Sequence, residues 1–141
     1  MKNLGIEGVV IFLYYDGLET ASNFYREIMN FKLVLNREWV KIYQLKDGAY
    51  IGLVKKGKSA SPSLQRTSNA TSKAVMISMM VSDVQSWYRY LQDQKVKLEG
   101  EPSLGKDIGR TAFRLWDPEG YVIEIMDDIH IWNKEKTKSK I

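Results

Sequence analysis

The stretch DPEGYVIEIM, residues 117–126, predicts a tight turn that leads directly into a buried strand. Pro118 presets the backbone for the turn, and Gly120 can adopt the positive φ at which the chain reverses. Residues 121–126 are apolar except for Glu124. Because a carboxylate inside an apolar strand is costly unless it is paired, the partner of Glu124 is the central functional question of this sequence.

Residues 18–29 have the apolar periodicity of an amphipathic helix. Asn30 is suited to end this helix, because asparagine tolerates the left-handed conformation found after many helix C-termini. We therefore predict a helix that begins at Leu18 and ends near Asn30. One stripe of this helix gathers the apolar side chains Leu18, Ala21, Tyr25 and Ile28, with Phe24 beside it.

The composition argues against several classes of protein. A chain of 141 residues suits one domain, or two small modules that share a core, and the absence of cysteine excludes disulfides and a thiolate nucleophile. Most of the net charge of +4 comes from residues 134–140, with four lysines and one glutamate, so the body is nearly neutral and does not favour nucleic-acid binding. The apolar run at residues 9–13 is too short to span a membrane. We expect a cytoplasmic protein without a nucleic-acid or membrane partner.

The predicted elements repeat in the order β-α-β-β-β, which indicates one fold made from two copies. The helix starts, Leu18 and Val84, are 66 residues apart, whereas the turn glycines Gly48 and Gly120 are 72 apart, so the second copy has extra residues, most simply near 100–109. The first strand is apolar at both alternating sets of positions, which predicts that both of its faces are covered. The predicted strands are 6–15, 32–36, 39–45 and 49–54 in the first copy and 75–81, 98–103, 111–116 and 121–126 in the second, and the second helix is 84–94.

Three motifs resemble the glyoxalase/bleomycin-resistance/extradiol-dioxygenase superfamily, also called the vicinal oxygen chelate fold. They are DGLETASNFY (16–25) leading to MNF (29–31), VSDV (81–84) and DPEGYVIE (117–124). The resemblance covers residues 5 to about 128. It implies an α+β fold in which two βαβββ modules form a cupped mixed sheet with helices on the outer face.

This resemblance implies that the chain is a single glyoxalase-like domain over residues 1–141. The first module spans about 5–56 and the second about 74–128, with a basic tail at 129–141. Residues 57–73 are rich in Ser, Thr and Lys without periodicity, and we interpret them as a linker, with a binding lid as the alternative.

Enzymes of this superfamily hold a divalent metal with His, Gln or Glu on the first strand of each module and Glu on the last. In this chain the corresponding positions are Val10 (or Val9), Met76, Gly52 and Glu124. One carboxylate among apolar side chains and a glycine cannot hold a catalytic metal tightly. We therefore predict no metal, no cofactor and no catalytic residue, and we lean against an enzyme.

Strand alternation turns the same positions into the lining of an aromatic, methionine-containing cup. Gly52 has no side chain to fill this cup, which favours a cavity over a filled core. Secondary candidates for stacking on a flat ligand, with ordinary strand packing as the alternative, are Trp39, Tyr43, Phe113 and Trp116. The predicted ligand-binding residues are Phe12, Tyr14, Trp39, Tyr50, Met76, Ser78, Met80, Val122, Glu124 and Met126.

Three roles are open for Glu124. It can be a relic paired with a neighbouring Tyr or Arg, such as Arg110 or Arg114. It can anchor a cationic or hydrogen-bond-donating ligand, or it can act as a general base whose pKa is raised by apolar surroundings.

The function predicted from the sequence is a metal-free protein that binds an unknown aromatic or amphipathic small molecule. One alternative is a metal-dependent, glyoxalase-like lyase or dioxygenase. Another is a non-catalytic interaction module whose function lies at a dimer surface. The resemblance also implies a homodimer, because paired chains often complete the sites of this superfamily.

Overall fold

The computed structural model describes residues 4–58, 73–105 and 110–127. The chain divides into two compact units, residues 1–72 and residues 73–141, each with one four-stranded sheet. Residues 59–72 of the predicted linker and the predicted basic tail, which contains His130, lie outside the described residues. Within those residues, no helix has the length and apolar character needed to cross a membrane.

Each unit has the predicted β-α-β-β-β order. In the first unit the elements are β1 (Val9–Tyr15), α1 (Leu18–Asn23), a π-helical turn (Phe24–Ile28), β2 (Lys32–Asn36), β3 (Val40–Lys46) and β4 (Ala49–Lys55). In the second unit they are β5 (Met76–Val81), α2 (Val84–Asp93), β6 (Leu98–Gly105), β7 (Arg110–Trp116) and β8 (Val122–Asp127).

The two sheets have the same mixed topology. Their strand orders are β1-β4-β3-β2 and β5-β8-β7-β6, so the first and last strands of each unit are neighbours. These neighbours, β1 with β4 and β5 with β8, are parallel, and the remaining pairs are antiparallel. The predicted α+β fold with two βαβββ modules is therefore confirmed.

The turns before the last strands form as the sequence predicts. Gly48 and Gly120 both have positive φ, at 80° and 94°. The carboxylate of Asp117 is buried and accepts hydrogen bonds from the backbone N–H groups of Glu119 (3.0 Å) and Tyr121 (2.9 Å). This side chain stabilises the turn, because it accepts hydrogen bonds from two backbone N–H groups that lie outside the strand ladder.

One face of each sheet packs against the helix of its own unit. In the first unit this packing buries tyrosines from three elements, and the Tyr15 and Tyr25 hydroxyls lie 3.2 Å apart. In the second unit the ring of Tyr88 on α2 meets Phe113 edge to face, 5.4 Å between centroids. The large side chains that this packing buries almost fully are Leu13, Tyr15, Tyr25, Tyr43, Ile51 and Leu53 in the first unit and Leu91, Phe113, Leu115, Ile123 and Ile125 in the second.

The first helix differs from the prediction in its last turn. The N–H of Met29 donates to the carbonyl of Phe24 (3.0 Å), five residues earlier, which widens the helix into a π-helical turn. The extra residue shifts the buried stripe, so Met29 is buried where Ile28 was expected to be. Asn30 follows with a φ of 60°, as suits the end of the helix.

The predicted covering of the first strand requires correction. Residues 9–12 of β1 are exposed, so this strand is not covered on both faces along its length, because it lies at an edge of its sheet and has a neighbouring strand on one side.

The extra residues of the second unit lie partly where the sequence predicts them, near residues 100–109. Two of them lie in β6, where the register slips between Glu99 and Ser103 beside the positive-φ residue Gly100. The slip is a β-bulge, which admits additional residues without breaking the sheet.

Candidate functional site

The second face of each sheet points away from the helix of its unit, because side chains alternate along a strand. On β5 and β8 this face holds all six predicted ligand-binding residues of the second unit. The strand register pairs Met76 with Val122, Ser78 with Glu124, and Met80 with Met126. The structure therefore brings these six residues together, and we call this surface the open face of the second unit.

One row of polar residues crosses the middle of this open face. Each strand contributes one residue, because the register pairs Ser78 with Glu124, Glu124 with Arg114, and Arg114 with Glu99. We call these four residues the polar row. Arg114 was predicted as a possible partner of Glu124, whereas Glu99 was not predicted to be part of the site.

The contacts within the polar row satisfy Glu124 from two sides. The Ser78 hydroxyl donates a hydrogen bond to Oε1 of Glu124. Nε of Arg114 lies 3.6 Å from Oε2 of the same carboxylate, and Nη1 of Arg114 lies 3.7 Å from Oε1 of Glu99. Glu124 is buried, with a side chain 10% exposed, whereas the side chains of Arg114 and Glu99 are 46% and 50% exposed.

Apolar residues flank the polar row on both sides. One neighbouring row contains Met76, Val122 and Trp116, and the other contains Met80, Met126 and Ala112. The two methionines of β5 are about half exposed, at 51% for Met76 and 52% for Met80. The ammonium of Lys97 lies over the ring of Trp116, 4.8 Å from its centroid. Polar groups bordered by polarisable apolar side chains are typical of small-molecule sites.

The equivalent face of the first unit has a different composition. Here the row through the middle of the sheet is Phe12, Gly52, Ile42 and Leu35, as the register pairs them across four strands. A Cβ atom placed on Gly52 would overlap the ring of Phe12. The space that Gly52 leaves is thus taken by this ring, which corrects the expectation that the glycine opens a cavity.

The other predicted residues of the first unit are spread along the sheet. Tyr14 pairs with Val54, and Tyr50 lies between Val10 on β1 and Gln44 on β3. Trp39 precedes β3, where its carbonyl accepts a hydrogen bond from the N–H of Lys55 (3.0 Å). It therefore lies at the end of the sheet that is remote from Tyr50, and the register does not bring it beside that residue.

Two of the secondary stacking candidates belong to the core. Tyr43 and Phe113 are buried on the helix-facing sides of their sheets. The hydroxyl of Tyr43 donates a hydrogen bond to the carbonyl of Ser22 (3.1 Å) and accepts one from its hydroxyl. Trp116 is the secondary candidate that lies on the open face of the second unit.

The first unit also contains a polar groove beside its helix. This groove has a volume of about 320 Å³ and lies between α1 and the start of β3. Arg26, at its border, is bound by Asn23 (2.9 Å) and Glu27 (3.0 Å), and the ammonium of Lys41 donates to Asn36. The two cations of this groove, Arg26 and Lys41, thus already have polar partners within the chain. Its lining residues are Leu18, Glu19, Ser22, Asn23, Arg26, Glu38 and Lys41.

The residues at the expected metal-ligand positions do not fit a metal. Val10, Gly52 and Met76 offer no oxygen or nitrogen from a side chain, and the oxygens of Glu124 already face Ser78 and Arg114. No group of three or more His, Cys, Asp or Glu side chains that could hold a metal occurs in residues 4–58, 73–105 and 110–127. A hard divalent cation needs several oxygen ligands, so this donor set is inadequate.

Solved structures of low sequence identity have the same fold. Lactoylglutathione lyase from Agrobacterium tumefaciens is 18% identical with a TM-score of 0.66, and the match covers 84% of this chain and 90% of that one. A glyoxalase-related enzyme from Fulvimarina pelagi is 18% identical with a TM-score of 0.67, covering 84% and 86%. A glyoxalase/bleomycin resistance protein/dioxygenase from Nocardioides is 14% identical with a TM-score of 0.69, covering 90% and 85%. At such identities the likeness shows the fold and not the activity.

A sequence model identifies the superfamily of this chain, although no individual curated protein does. A search of curated proteins finds no match. In contrast, the sequence model of one superfamily matches residues 9–125, which include all eight strands except the last residues of β8. The chain therefore belongs to the glyoxalase/bleomycin resistance protein/dioxygenase superfamily.

Proposed function

We propose that this protein binds a small aromatic or amphipathic molecule on the open face of the second unit, without the help of a divalent metal. The observation that carries the proposal is the polar row. Glu124, the one carboxylate at an expected metal-ligand position, is paired with Ser78 and Arg114 inside the chain. A ligand that offers a competing hydrogen-bond donor can therefore bind this carboxylate. A metal would also require oxygen or nitrogen ligands at the companion positions, and these are missing.

The surroundings of the polar row support an apolar ligand body. Met76 and Met80 are half exposed on β5, and Met126 and Trp116 lie next to them on the same face. Methionine side chains adapt to irregular shapes, and an indole ring provides a flat surface for stacking. A compound with an aromatic body and one polar group therefore suits this face better than a highly charged metabolite.

The open face of the second unit supports the proposal better than that of the first. In the first unit, the Phe12 ring covers Gly52, and the opposing residue on β3 is Ile42. This row offers no polar group that could orient a ligand. The aromatic side chains Phe12, Tyr14 and Tyr50 are accordingly assigned to apolar contact only.

A direct test uses the methionines as reporters. In protein labelled with carbon-13 at the methionine methyl groups, binding on the open face should shift the signals of Met76, Met80 and Met126. Met29 is buried in the first unit and serves as the internal control. We expect members of a panel of aromatic amphiphiles to shift the three reporters and to leave Met29 unchanged.

The metal content provides the second half of the test. Freshly purified, untagged protein should contain far less than one transition-metal ion per chain by mass spectrometry. Addition of Mn²⁺ should not broaden the signals of Met76, Met80 and Met126. A stoichiometric metal, or a panel in which no compound moves these three signals, would contradict the proposed function.

A further inference from the structure

The polar row has an excess of negative charge. Two carboxylates, Glu99 and Glu124, share one guanidinium, so the row has one net negative charge. Among the described residues, two further cations lie on this side of the sheet. The ammonium of Lys97 lies over the Trp116 ring at the side of the row, and Arg110 is buried at the start of β7, two rows away. The middle of the open face therefore attracts positive charge.

Arg114 is held loosely in this row. Its nitrogens lie 3.6 Å from Glu124 and 3.7 Å from Glu99, beyond the usual length of a charge-assisted hydrogen bond. Its side chain is also nearly half exposed, so it can move into water at little cost. Glu124 is buried and cannot follow it, so another cation could replace the guanidinium beside this carboxylate.

We infer that the polar end of the ligand is an organic cation, such as a protonated amine, which displaces the guanidinium of Arg114 from Glu124. This inference deepens the proposed function and rests on it. The Ser78 hydroxyl occupies Oε1 of Glu124, which leaves Oε2 for the incoming cation. The apolar body of the ligand then lies on Met76 and Met80, on either side of the row along β5.

The charges of the row disfavour the other ligand classes. An anion would have to compete with Glu99 and Glu124 for the one guanidinium and would be repelled by both carboxylates, one of them buried. A neutral ligand could accept a hydrogen bond from Arg114, but it would leave the excess negative charge uncompensated. A single partly buried charge interaction of this kind favours the cation over a neutral analogue on the order of tenfold.

The experiment compares three probes of the same size and shape near neutral pH. They are naphthylmethylamine, which is protonated, naphthylmethanol, which is neutral, and naphthoate, which is anionic. The full-length, methionine-labelled protein is titrated with each. We expect the amine to shift the signals of Met76, Met80 and Met126 at the lowest concentration, the alcohol at roughly tenfold higher concentration, and the carboxylate last.

Three variants then test whether the preference for the amine arises from the polar row. Glu124→Gln should remove the preference for the amine over the alcohol. Arg114→Gln should strengthen binding of the amine severalfold, because it removes the competing cation. Arg89→Gln removes the same charge from α2, on the other side of this sheet, and serves as the matched control that leaves the preference unchanged.

Each outcome bears on a defined claim. If the alcohol or the carboxylate binds the open face as tightly as the amine, this inference is overturned while the proposed function stands. The inference also fails if Glu124→Gln keeps the preference, or if Arg114→Gln weakens binding of the amine. If none of the probes moves the three reporters while Met29 shows a folded protein, the result counts against the proposed function as well.

Discussion

The two units have the same strand order, but the central row of the open face is apolar in the first unit and polar in the second. In the first unit the central row consists of Phe12, Gly52, Ile42 and Leu35, whereas in the second it consists of Ser78, Glu124, Arg114 and Glu99. The strand orders and directions are equivalent, with a parallel first-to-last pair and two antiparallel pairs in each unit, although the β-bulges lie at different places. The two central rows therefore differ in their side chains on the same strand topology.

This comparison separates what stabilises the fold from what a ligand can use. In the apolar row of the first unit, the Phe12 ring lies directly on the backbone of Gly52 and occupies the space beside this glycine. The polar row is satisfied internally but only loosely, through ion pairs longer than 3.5 Å and an exposed guanidinium. A loosely paired row can exchange one of its charged partners for a ligand, whereas the apolar row of the first unit has no charged partner to exchange. The second unit is thus the half of the chain suited to recognition.

The largest effect is expected from a side chain added to the first row. Gly52→Ala places a methyl group where the Phe12 ring lies. Because this ring is 46% exposed and can turn partly aside, we expect a loss of about 1–2 kcal/mol in the free energy of unfolding, at the lower end of the range for overpacking. Gly52 does not have a positive φ, so the backbone itself accepts alanine. Denaturant unfolding of the purified variant measures this loss.

A double-mutant cycle tests whether the ring is the cause. In a Phe12→Ala background, Gly52→Ala should cost nothing or should stabilise the unit, because the ring is gone and alanine reduces the entropy of the unfolded chain. An equal loss in both backgrounds would show that Phe12 does not cover Gly52 in solution.

A smaller effect is expected when the ion pair of the second row is broken. Arg114→Ile leaves the buried carboxylate of Glu124 with Ser78 as its remaining partner among the contacts described here. Because Arg114 is nearly half exposed and its ion pair is screened by water, we expect the free energy of unfolding to fall by only about 1 kcal/mol near neutral pH. Chemical denaturation followed by circular dichroism provides the measurement.

The residues of the first unit's central row can then be introduced at the equivalent positions of the polar row. The triple variant Ser78→Phe, Arg114→Ile and Glu124→Gly should recover most of that loss, because replacing a buried ion pair with apolar groups is often neutral or stabilising. It should also lose the preference for cationic probes. A triple variant less stable than Arg114→Ile alone would mean that the two ladders are not interchangeable.

The smallest effect concerns how the two helices begin. α1 follows Gly17, which provides no side-chain cap, whereas α2 is capped by Asp83, which accepts bonds from the hydroxyl (2.7 Å) and the N–H (3.0 Å) of Ser86. These two bonds from Ser86 lower the pKa of Asp83 below its ordinary value. The stabilisation is therefore present above the unfolded-state pKa and is lost as the pH falls through the lowered, folded-state pKa.

Asp83→Ala should accordingly lower the melting temperature near neutral pH, with a difference from the unmodified protein that shrinks as the solution becomes strongly acidic. Asp93→Ala at the other end of α2 is the control, since a negative charge there opposes the helix dipole and its loss should not destabilise the helix. Thermal melts recorded across the acid range would refute the capping role if the Asp83→Ala difference stayed constant with pH.

Local chemistry was sufficient to predict the elements. The turn at Asp117 needs only a proline, an aspartate and a glycine with positive φ, and all of its interactions lie within five residues. The repeat of the β-α-β-β-β order and the helix end at Asn30 depend on similarly short patterns. The alternation along β5 and β8 was enough to place six site residues on one face.

Relations between distant residues required the tertiary structure. The partner of Glu124 depends on the β7–β8 register, which sets Arg114 rather than a neighbour opposite the carboxylate. Glu99 joins the row only because β6 pairs with β7 at this position, before its bulge. The alternation of apolar residues excludes a slip of one residue, which would turn each of these side chains to the other face of the sheet. A slip of two residues keeps every side chain on its face, and no local pattern excludes it.

The sequence by itself determined the family and the two-module α+β architecture, because these follow from residue identity and short-range periodicity. It also placed Val10, Gly52 and Met76 at three of the four positions where metal ligands are expected. The tertiary structure decided which side chains fill the space between neighbouring elements and which charged side chains pair with one another. The ring of Phe12 fills the place left by Gly52, the π-helical turn moves Met29 into the core, and Arg114 pairs with both Glu99 and Glu124. Each of these depends on packing between strands or turns that are distant in the chain, where volume and charge are balanced only after the backbone is in place.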